Sequence, residues 1–415
     1  NIVFAAAYLG LYGTYFGNTL YLVIQNASSV GITLINSADM LCTVIGIIIP
    51  LLTFFDILLN KHRTLGKNVK KEEAMHQENE KKYITMKTLI LNPKSEEQKH
   101  RENSILSVLK EGTRNPRIKF PDYIYFRLEG NTLNIEIVPS IRNTGTVNYT
   151  CENMQSDNAA FEGWAICLKA WIEEIQNVTL RWAIPEVEQK NPHYNRFLYR
   201  VLKFIEFYDW FSVENDMIQE LDLFKSQLVD LSNNFGNKDP KEPASKGEKY
   251  LEYSIVHKYA EEFKKEFKVT SFNHQLPVGV KKNKDCFFTG RASAIDLWGI
   301  NDNAISIFEL KYKNKMVGII SELFLYTNII HDMISGMICT PDPSICIRPS
   351  ERELYTHLSK FTQIKAYMLS EEEFYHPLLS DKVLTLLNDN NLREDKIGIE
   401  FIKACTPENW FKNIK

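Results

Sequence analysis

The pattern of apolar and polar positions changes its period several times along the chain, and each change predicts an element. Residues 1–38 carry no charged side chain, and 2–24 are mostly Phe, Ala, Leu, Tyr, Val and Gly, enough to span a bilayer core. Residues 25–38 are polar but uncharged (Gln25, Asn26, Ser28, Ser29, Asn36, Ser37) and read as a turn. A second apolar run covers 40–59, interrupted by Pro50 and Asp56, and Lys61, His62, Arg63, Lys67, Lys70 and Lys71 follow it directly. Basic residues after the second run only predict a transmembrane helical hairpin over 1–60 with everything after it in the cytoplasm. A buried hairpin of a soluble domain, or a signal peptide for the first run, is the alternative. Asp56 lies within a turn of the basic end and is expected to snorkel.

Residues 61–82 are charged with no wide apolar stripe and read as a linker. An α+β domain is expected over 83–230: a strand at 83–91, a helix at 97–110, and two strands, 122–128 and 132–139, about Glu129-Gly130-Asn131. Helices are expected at 161–176 and 196–211, with Phe197, Tyr199, Phe204, Phe207, Tyr208, Trp210 and Phe211 as a packing face. Glu186, Glu188 and His193 are close in sequence, and Pro185 and Pro192 beside them predict a solvated loop. Ser, Asn, Gly and Pro mark 231–247 as a linker. The last domain, 248–415, opens with a helix at 248–267 whose buried stripe is Leu251, Ile255, Tyr259 and Phe263. A strand at 271–280, a helix at 317–335 ended by Gly336, a proline-rich loop at 338–349, a strand at 363–369, a helix at 382–387 and a strand at 396–403 complete it.

Between the first strand and the 317–335 helix, residues 293–311 read as two apolar strands joined by Asn301-Asp302-Asn303. Three ionisable groups interrupt the apolar runs. Glu309 and Lys311 are two apart and share a face. With the turn at Asp302-Asn303, Asp296 comes opposite Glu309. Two carboxylates on one half-buried patch repel unless a positive charge joins them, and a divalent cation is the usual solution.

Composition bounds the chemistry. The 415 residues are 44% hydrophobic and 24% charged with a net charge of −3, so no whole-chain basic character announces nucleic acid, although a local basic face suffices to hold phosphates. Seven cysteines (42, 151, 167, 286, 339, 346, 405) without a CxxC pair argue against a zinc site or disulfide framework. The first residue is Asn rather than Met, which predicts a start inside a longer gene product.

The order helix, three strands, helix, strand, helix, strand resembles the PD-(D/E)xK nuclease superfamily, with Asp296 on the second strand and Glu309-Leu310-Lys311 on the third. The helix start Gly247-Glu248-Lys249-Tyr250-Leu251-Glu252 adds to the likeness. It covers about 246–404, and departs from the family pattern in having Ile295 where Pro usually precedes the Asp. The expected fold class is therefore α/β: a two-helix transmembrane hairpin, an α+β middle domain serving as sensor, regulator or oligomerisation module, and a C-terminal restriction-endonuclease-like αβββαβ(αβ) domain.

The resemblance implies metal-dependent phosphodiester hydrolysis. Asp296, Glu309 and the Leu310 carbonyl would ligate Mg²⁺ or Mn²⁺. Lys311 would orient the attacking water or neutralise the scissile phosphate, and Glu252 would support metal or water, with Glu248 as its substitute. Glu322 and Tyr326 match a position where related nucleases carry a Gln/Tyr pair. Arg291, Lys313 and Lys315, with Lys281, Lys282 and Lys284, form an expected phosphate-binding surface, or else a solvated rim. His257, His274 and His331 are expected to be packing or surface residues.

The expected protein is a membrane-anchored, Mg²⁺-dependent nuclease at the cytoplasmic face of the inner membrane, with nucleic acid (DNA favoured) as partner. It would be a homo-oligomer acting in defence against phage or foreign DNA under a phage-derived trigger. Two readings from other classes stand beside it: a non-catalytic membrane-bound sensor or scaffold with a nuclease fold, and a membrane-disrupting effector built on the hairpin.

Overall fold

The computed structural model describes residues 94–141, 147–148, 157–186, 190–234, 241–243, 247–288, 293–389, 396–407 and 410. The apolar hairpin over 1–60, the 61–82 linker and the 83–91 strand lie outside the described residues. No helix among the described residues is long and apolar enough to cross a membrane. The expected fold class and the inner-membrane location are corrected on that finding: the described chain is mixed α/β with several sheets.

Helix α1 (Glu96–Thr113) is capped by Ser95, whose hydroxyl accepts from the Gln98 amide, and carries Glu96 and Glu97 at its positive end. Strands β1 (Ile124–Glu129) and β2 (Thr132–Ile137) form the expected hairpin, turned at Gly130 with φ +60°, and β3 (Ser140–Ile141) pairs with β4 (Val147–Asn148). Helix α2 (Phe161–Trp171) stops short of 176 because the next segment is strand β5 (Asn177–Trp182). That strand alternates Val178, Leu180 and Trp182 into the core. Helix α3 (Pro192–Phe207) starts four residues before the expected 196. Asn191 caps it, with Pro192 in the first turn, where the missing N–H costs nothing. Strand β6 (Phe211–Val213), helix α4 (Asn215–Lys225) and strand β7 (Leu231–Asn234) follow, the last within the stretch expected to be a linker.

The expected 248–267 helix breaks at Tyr259 into α5 (Glu248–Lys258) and α6 (Ala260–Phe267). Strands β8 (Ser271–Pro277), β9 (Gly279–Lys282), β10 (Asp285–Cys286), β11 (Ala294–Ile300) and β12 (Ala304–Leu310) precede helix α7 (Gly318–Ile334). Then come β13 (Ile338–Cys339), α8 (Pro349–His357), β14 (Gln363–Ser370), α9 (Asp381–Asn388) and β15 (Gly398–Cys405). One sheet runs β1-β2-β5-β6, a second β10-β9-β7-β13, and a third, of five strands, β15-β14-β12-β11-β8. In the third, β8, β11 and β12 are antiparallel, and β14 and β15 run parallel to β12.

Helix α7 lies at the centre, with all 17 residues buried, because its apolar side chains surround it rather than forming one stripe. Phe324 packs on Phe204 of α3 at 5.2 Å between ring centroids and on Phe401 of β15 at 6.4 Å. Its first turn touches α2 so closely that a Cβ at Gly163 would come within 2.7 Å of the Val317 carbonyl oxygen. One continuous core runs from Ile105 and Phe126 to Met368 and Phe401, so the stretches before and after 231–247 share an interior. A smaller core under α5 and α6 joins Leu251, Ile255, Phe263, Leu297, Phe308 and Leu310.

Candidate functional site

The site is built on the β11–β12 hairpin. Asn301 N donates to Ala304 O at 3.0 Å, and the Asn301 side chain accepts from the amides of Asn303 and Ala304. Neither Asp302 nor Asn303 has positive φ, so the side chain of Asn301, rather than a left-handed residue, closes this turn. The pairs Leu297↔Phe308, Trp298↔Ile307 and Ile300↔Ile305 set the expected register, and Asp296 Oδ2 accepts from the Leu310 amide at 2.9 Å. Asp296, Glu309 and Lys311 face α7.

Lys311 Nζ bridges Glu309 Oε1 at 2.5 Å and Glu322 Oε2 of α7 at 2.7 Å. Glu248, in the first turn of α5, accepts from the Tyr312 amide at 2.9 Å. Glu252, one turn on, accepts from His274 Nδ1 at 2.8 Å and from Gln275 Nε2 at 3.0 Å. Glu309, Glu322, Asp296 and Glu248, with Tyr326, gather about the Lys311 ammonium, and Glu252 lies beside Asp296. Glu252, Glu309, Glu322 and Tyr326 are buried, whereas Glu248, Asp296 and Lys311 keep some surface and form the open side.

The electrostatics follow from burial and from four carboxylates, Glu309, Glu322, Asp296 and Glu248, acting on one lysine. Burial raises the Asp296 carboxyl well above its ordinary range, Lys311 opposes this, and Glu252 and Glu248 add to it. Burial likewise raises Glu309, with Asp296 and Glu322 reinforcing the shift against Lys311. Burial alone would discharge Lys311, yet Glu309, Glu322, Asp296 and Glu248 outweigh it and hold the ammonium above its usual range. An ion pair normally lowers its carboxylate. Here both partners rise, because burial raises the carboxyls and one ammonium cannot offset burial and the neighbouring acids together. Burial and the same acids push the Tyr326 phenol up.

One atom is conspicuous: Glu309 Oε2 is buried with no hydrogen-bond partner. Among the described residues no group of three His, Cys, Asp or Glu side chains is set to hold a metal ion. Two carboxylates and a backbone carbonyl, however, are what a small oxygen-seeking cation takes from protein while keeping its waters. An orphaned carboxylate oxygen in an acid-rich cluster fits such a cation.

The expected phosphate-binding residues are less coherent. Arg291 lies outside the described residues. Lys313 and Lys315 are exposed on the segment between β12 and α7, Lys313 with φ +57° and its ammonium 4.9 Å from the Tyr312 ring centroid. Lys282 donates to the Gln227 carbonyl, away from the hairpin. The concavity lined by Lys190, Asn195, Glu220, Phe224 and Cys286 contains none of the site residues.

His274, expected to be a packing or surface residue, is buried and also fixes Glu252. Its neighbour Gln275 has φ +51° inside a strand, a conformation that costs a non-glycine residue about 1–3 kcal/mol and persists only where surroundings enforce it. The guanidinium of Arg348 supplies enforcement, donating to the His274 carbonyl at 2.7 Å and the Gln275 carbonyl at 3.0 Å. Sequence reading missed Arg348 because it stands in a proline-rich stretch with no periodic signal.

Comparison of the chain with family models, with curated proteins and with solved structures finds no match.

Proposed function

We propose that this protein is a divalent-metal-dependent nuclease that hydrolyses phosphodiester bonds, with DNA the favoured substrate. The observation that carries the reading is the convergence of Asp296, Glu309 and Lys311 on one face of the hairpin, with Glu309 Oε2 buried and unpaired. The likeness to PD-(D/E)xK nucleases in element order and in Asp296, Glu309 and Lys311 supports it. Asp296, Glu309 and the Leu310 carbonyl would hold Mg²⁺ or Mn²⁺, which supplies an activated water and neutralises charge on the reacting phosphoryl group. Lys311, held charged by its acid neighbours, offers N–H donors to a phosphate oxygen or to the attacking water. It does not act as a base, since its proton is held too firmly. Glu252, fixed by His274 and Gln275, is a preset acceptor at the edge of the site.

The test is cleavage of labelled single-stranded and double-stranded DNA and RNA by the purified full chain with Mg²⁺ or Mn²⁺. Asp296→Asn and Lys311→Ala are each expected to lower the rate by about 100-fold or more. A chain that binds no divalent ion and cuts nothing is instead a scaffold with a closed acid cluster.

A further inference from the structure

We propose that Arg348 is a positioning residue for this site, acting through the backbone of β8 on Glu252. The inference rests on the nuclease reading and adds to it a residue that touches neither substrate nor metal.

Side chains on consecutive strand residues point to opposite faces. His274 and Gln275 break that rule, since both bond one carboxylate: His274 Nδ1 to Glu252 Oε1 and Gln275 Nε2 to Glu252 Oε2. The left-handed φ at Gln275 is what permits it. The register Leu297↔His274 and Ile295↔Leu276 puts this kink directly across from Asp296. The distortion therefore sits where strand β8 meets the site.

A kink of this kind relaxes unless something holds it. Arg348 donates through Nη1 to the His274 carbonyl and through Nη2 to the Gln275 carbonyl, so one planar fork grips both carbonyls of the distorted step. The guanidinium is buried and also paired with Glu351 in the first turn of α8. Asn273 adds a bond to Ser350 of the same turn at 2.9 Å. The start of α8 thus fixes the backbone of β8, β8 fixes both oxygens of Glu252, and Glu252 stands beside Asp296.

The experiment compares four full-length proteins: wild type, Arg348→Met, Gln275→Gly and the double variant. Two readouts are taken, kcat and KM on labelled DNA with Mn²⁺, and the hydrogen-bonded imidazole N–H resonance of His274, assigned by its loss in His274→Gln. Arg348→Met should lower kcat by about 10- to 100-fold, the range for residues that orient catalytic groups, leave KM unchanged and abolish the resonance. Glycine takes positive φ freely. It also lacks the Nε2 that holds Glu252 Oε2, so adding Gln275→Gly to Arg348→Met should restore the resonance and return kcat to the level of Gln275→Gly alone. A residue that merely anchors α8 predicts no such rescue.

Wild-type kcat with a retained resonance in Arg348→Met overturns the proposal, as does a double variant whose resonance stays lost or whose kcat falls well below that of Gln275→Gly alone. Should Arg348→Met not fold, Arg348→Lys, which keeps the charge but loses the fork, carries the same comparison. If the wild type cleaves nothing, the nuclease reading fails by itself. The His274 resonance then still decides the clamp: lost on Arg348→Met and regained in the double variant if it exists, unchanged if it does not.

Discussion

Buried acids gather near both ends of helix α7, and Asp332 at one end shifts in the opposite direction to Asp296 and Glu309 on the hairpin facing the other. Near the C-terminal end, Asp332 accepts from Tyr199 at 2.7 Å, from Lys203 at 3.0 Å and from His331 at 3.1 Å. Burial alone would raise this carboxyl, but His331, Lys203 and Tyr199 together hold it below its ordinary range. Near the N-terminal end, Glu322 shares one lysine with Glu309, and Asp296 and Glu309 are held above theirs. The residue before Glu322 belongs to a third buried cluster, one whose acceptors are filled. Ser321 donates to Glu162, whose two oxygens are also gripped by Arg200. Donor supply separates the clusters. A cluster with its acceptors filled holds the fold together, whereas one left short of positive charge stores repulsion that a ligand relieves, a pattern typical of functional sites.

The largest expected effect comes from breaking the satisfied end. Lys203→Met removes one donor from a buried carboxylate and is expected to cost about 3–5 kcal/mol in urea unfolding, the range for an ion pair broken on one side. A loss below about 1 kcal/mol would mean that Lys203 behaves as a surface ion and that the contrast between the ends is overdrawn.

Titration gives the next test, since the signs are opposite. The lowered Asp332 carboxyl contributes stability that is present above its unfolded value near 3.8 and lost as pH falls through the folded value. The raised Asp296 and Glu309 contribute stability that is present below their unfolded values near 3.8 and 4.5 and lost as pH rises through their folded values. In divalent-free buffer, unfolding free energy should therefore decline from mildly acidic to neutral pH, and Asp296→Asn should flatten that decline. Mg²⁺ or Mn²⁺ at about 100 times its dissociation constant should restore about 2.7 kcal/mol at neutral pH in the wild type and little in Asp296→Asn. A wild type that responds to neither pH nor metal breaks the comparison at its unsatisfied end.

The sequence made the hairpin legible because its information is local. Apolar alternation, the Asn-Asp-Asn turn and the two-residue spacing of Glu309 and Lys311 fix a register, and that register is the one observed. Glu248, Glu252, Glu322 and Tyr326 were singled out through the expected resemblance, and the fold brings their helices beside the hairpin. What stayed hidden is long-range. Arg348 reaches β8 across 73 and 74 residues, and nothing in its own neighbourhood reports that contact. Helix α2 was expected to run on to 176, and strand β5 was not expected, because a segment buried all round loses the amphipathic period that marks its end. The early start of α3 was written in Asn191-Pro192, a cap followed by a first-turn proline, which reads as a loop when only the prolines are weighed.

The smallest expected effect sharpens the comparison most. Glu309→Gln replaces a charge that its neighbours repel with an amide of the same shape. The amide brings two N–H donors to a place rich in carboxylates, and Lys311 keeps Glu322 as its partner. At neutral pH without metal the variant should be more stable than wild type by about 1 kcal/mol, the gain usual when a strained functional group is neutralised. The same substitution should abolish metal-dependent stabilisation and cleavage. At Asp332, by contrast, three donors already face a filled carboxylate, and an amide there turns its own N–H toward Lys203 or Tyr199, so Asp332→Asn should destabilise. Equal signs for the two substitutions would show that burial alone sets the behaviour of these acids. Opposite signs would show that the N-terminal end of α7 keeps its charge at the expense of the fold, which is what a site awaiting a cation requires.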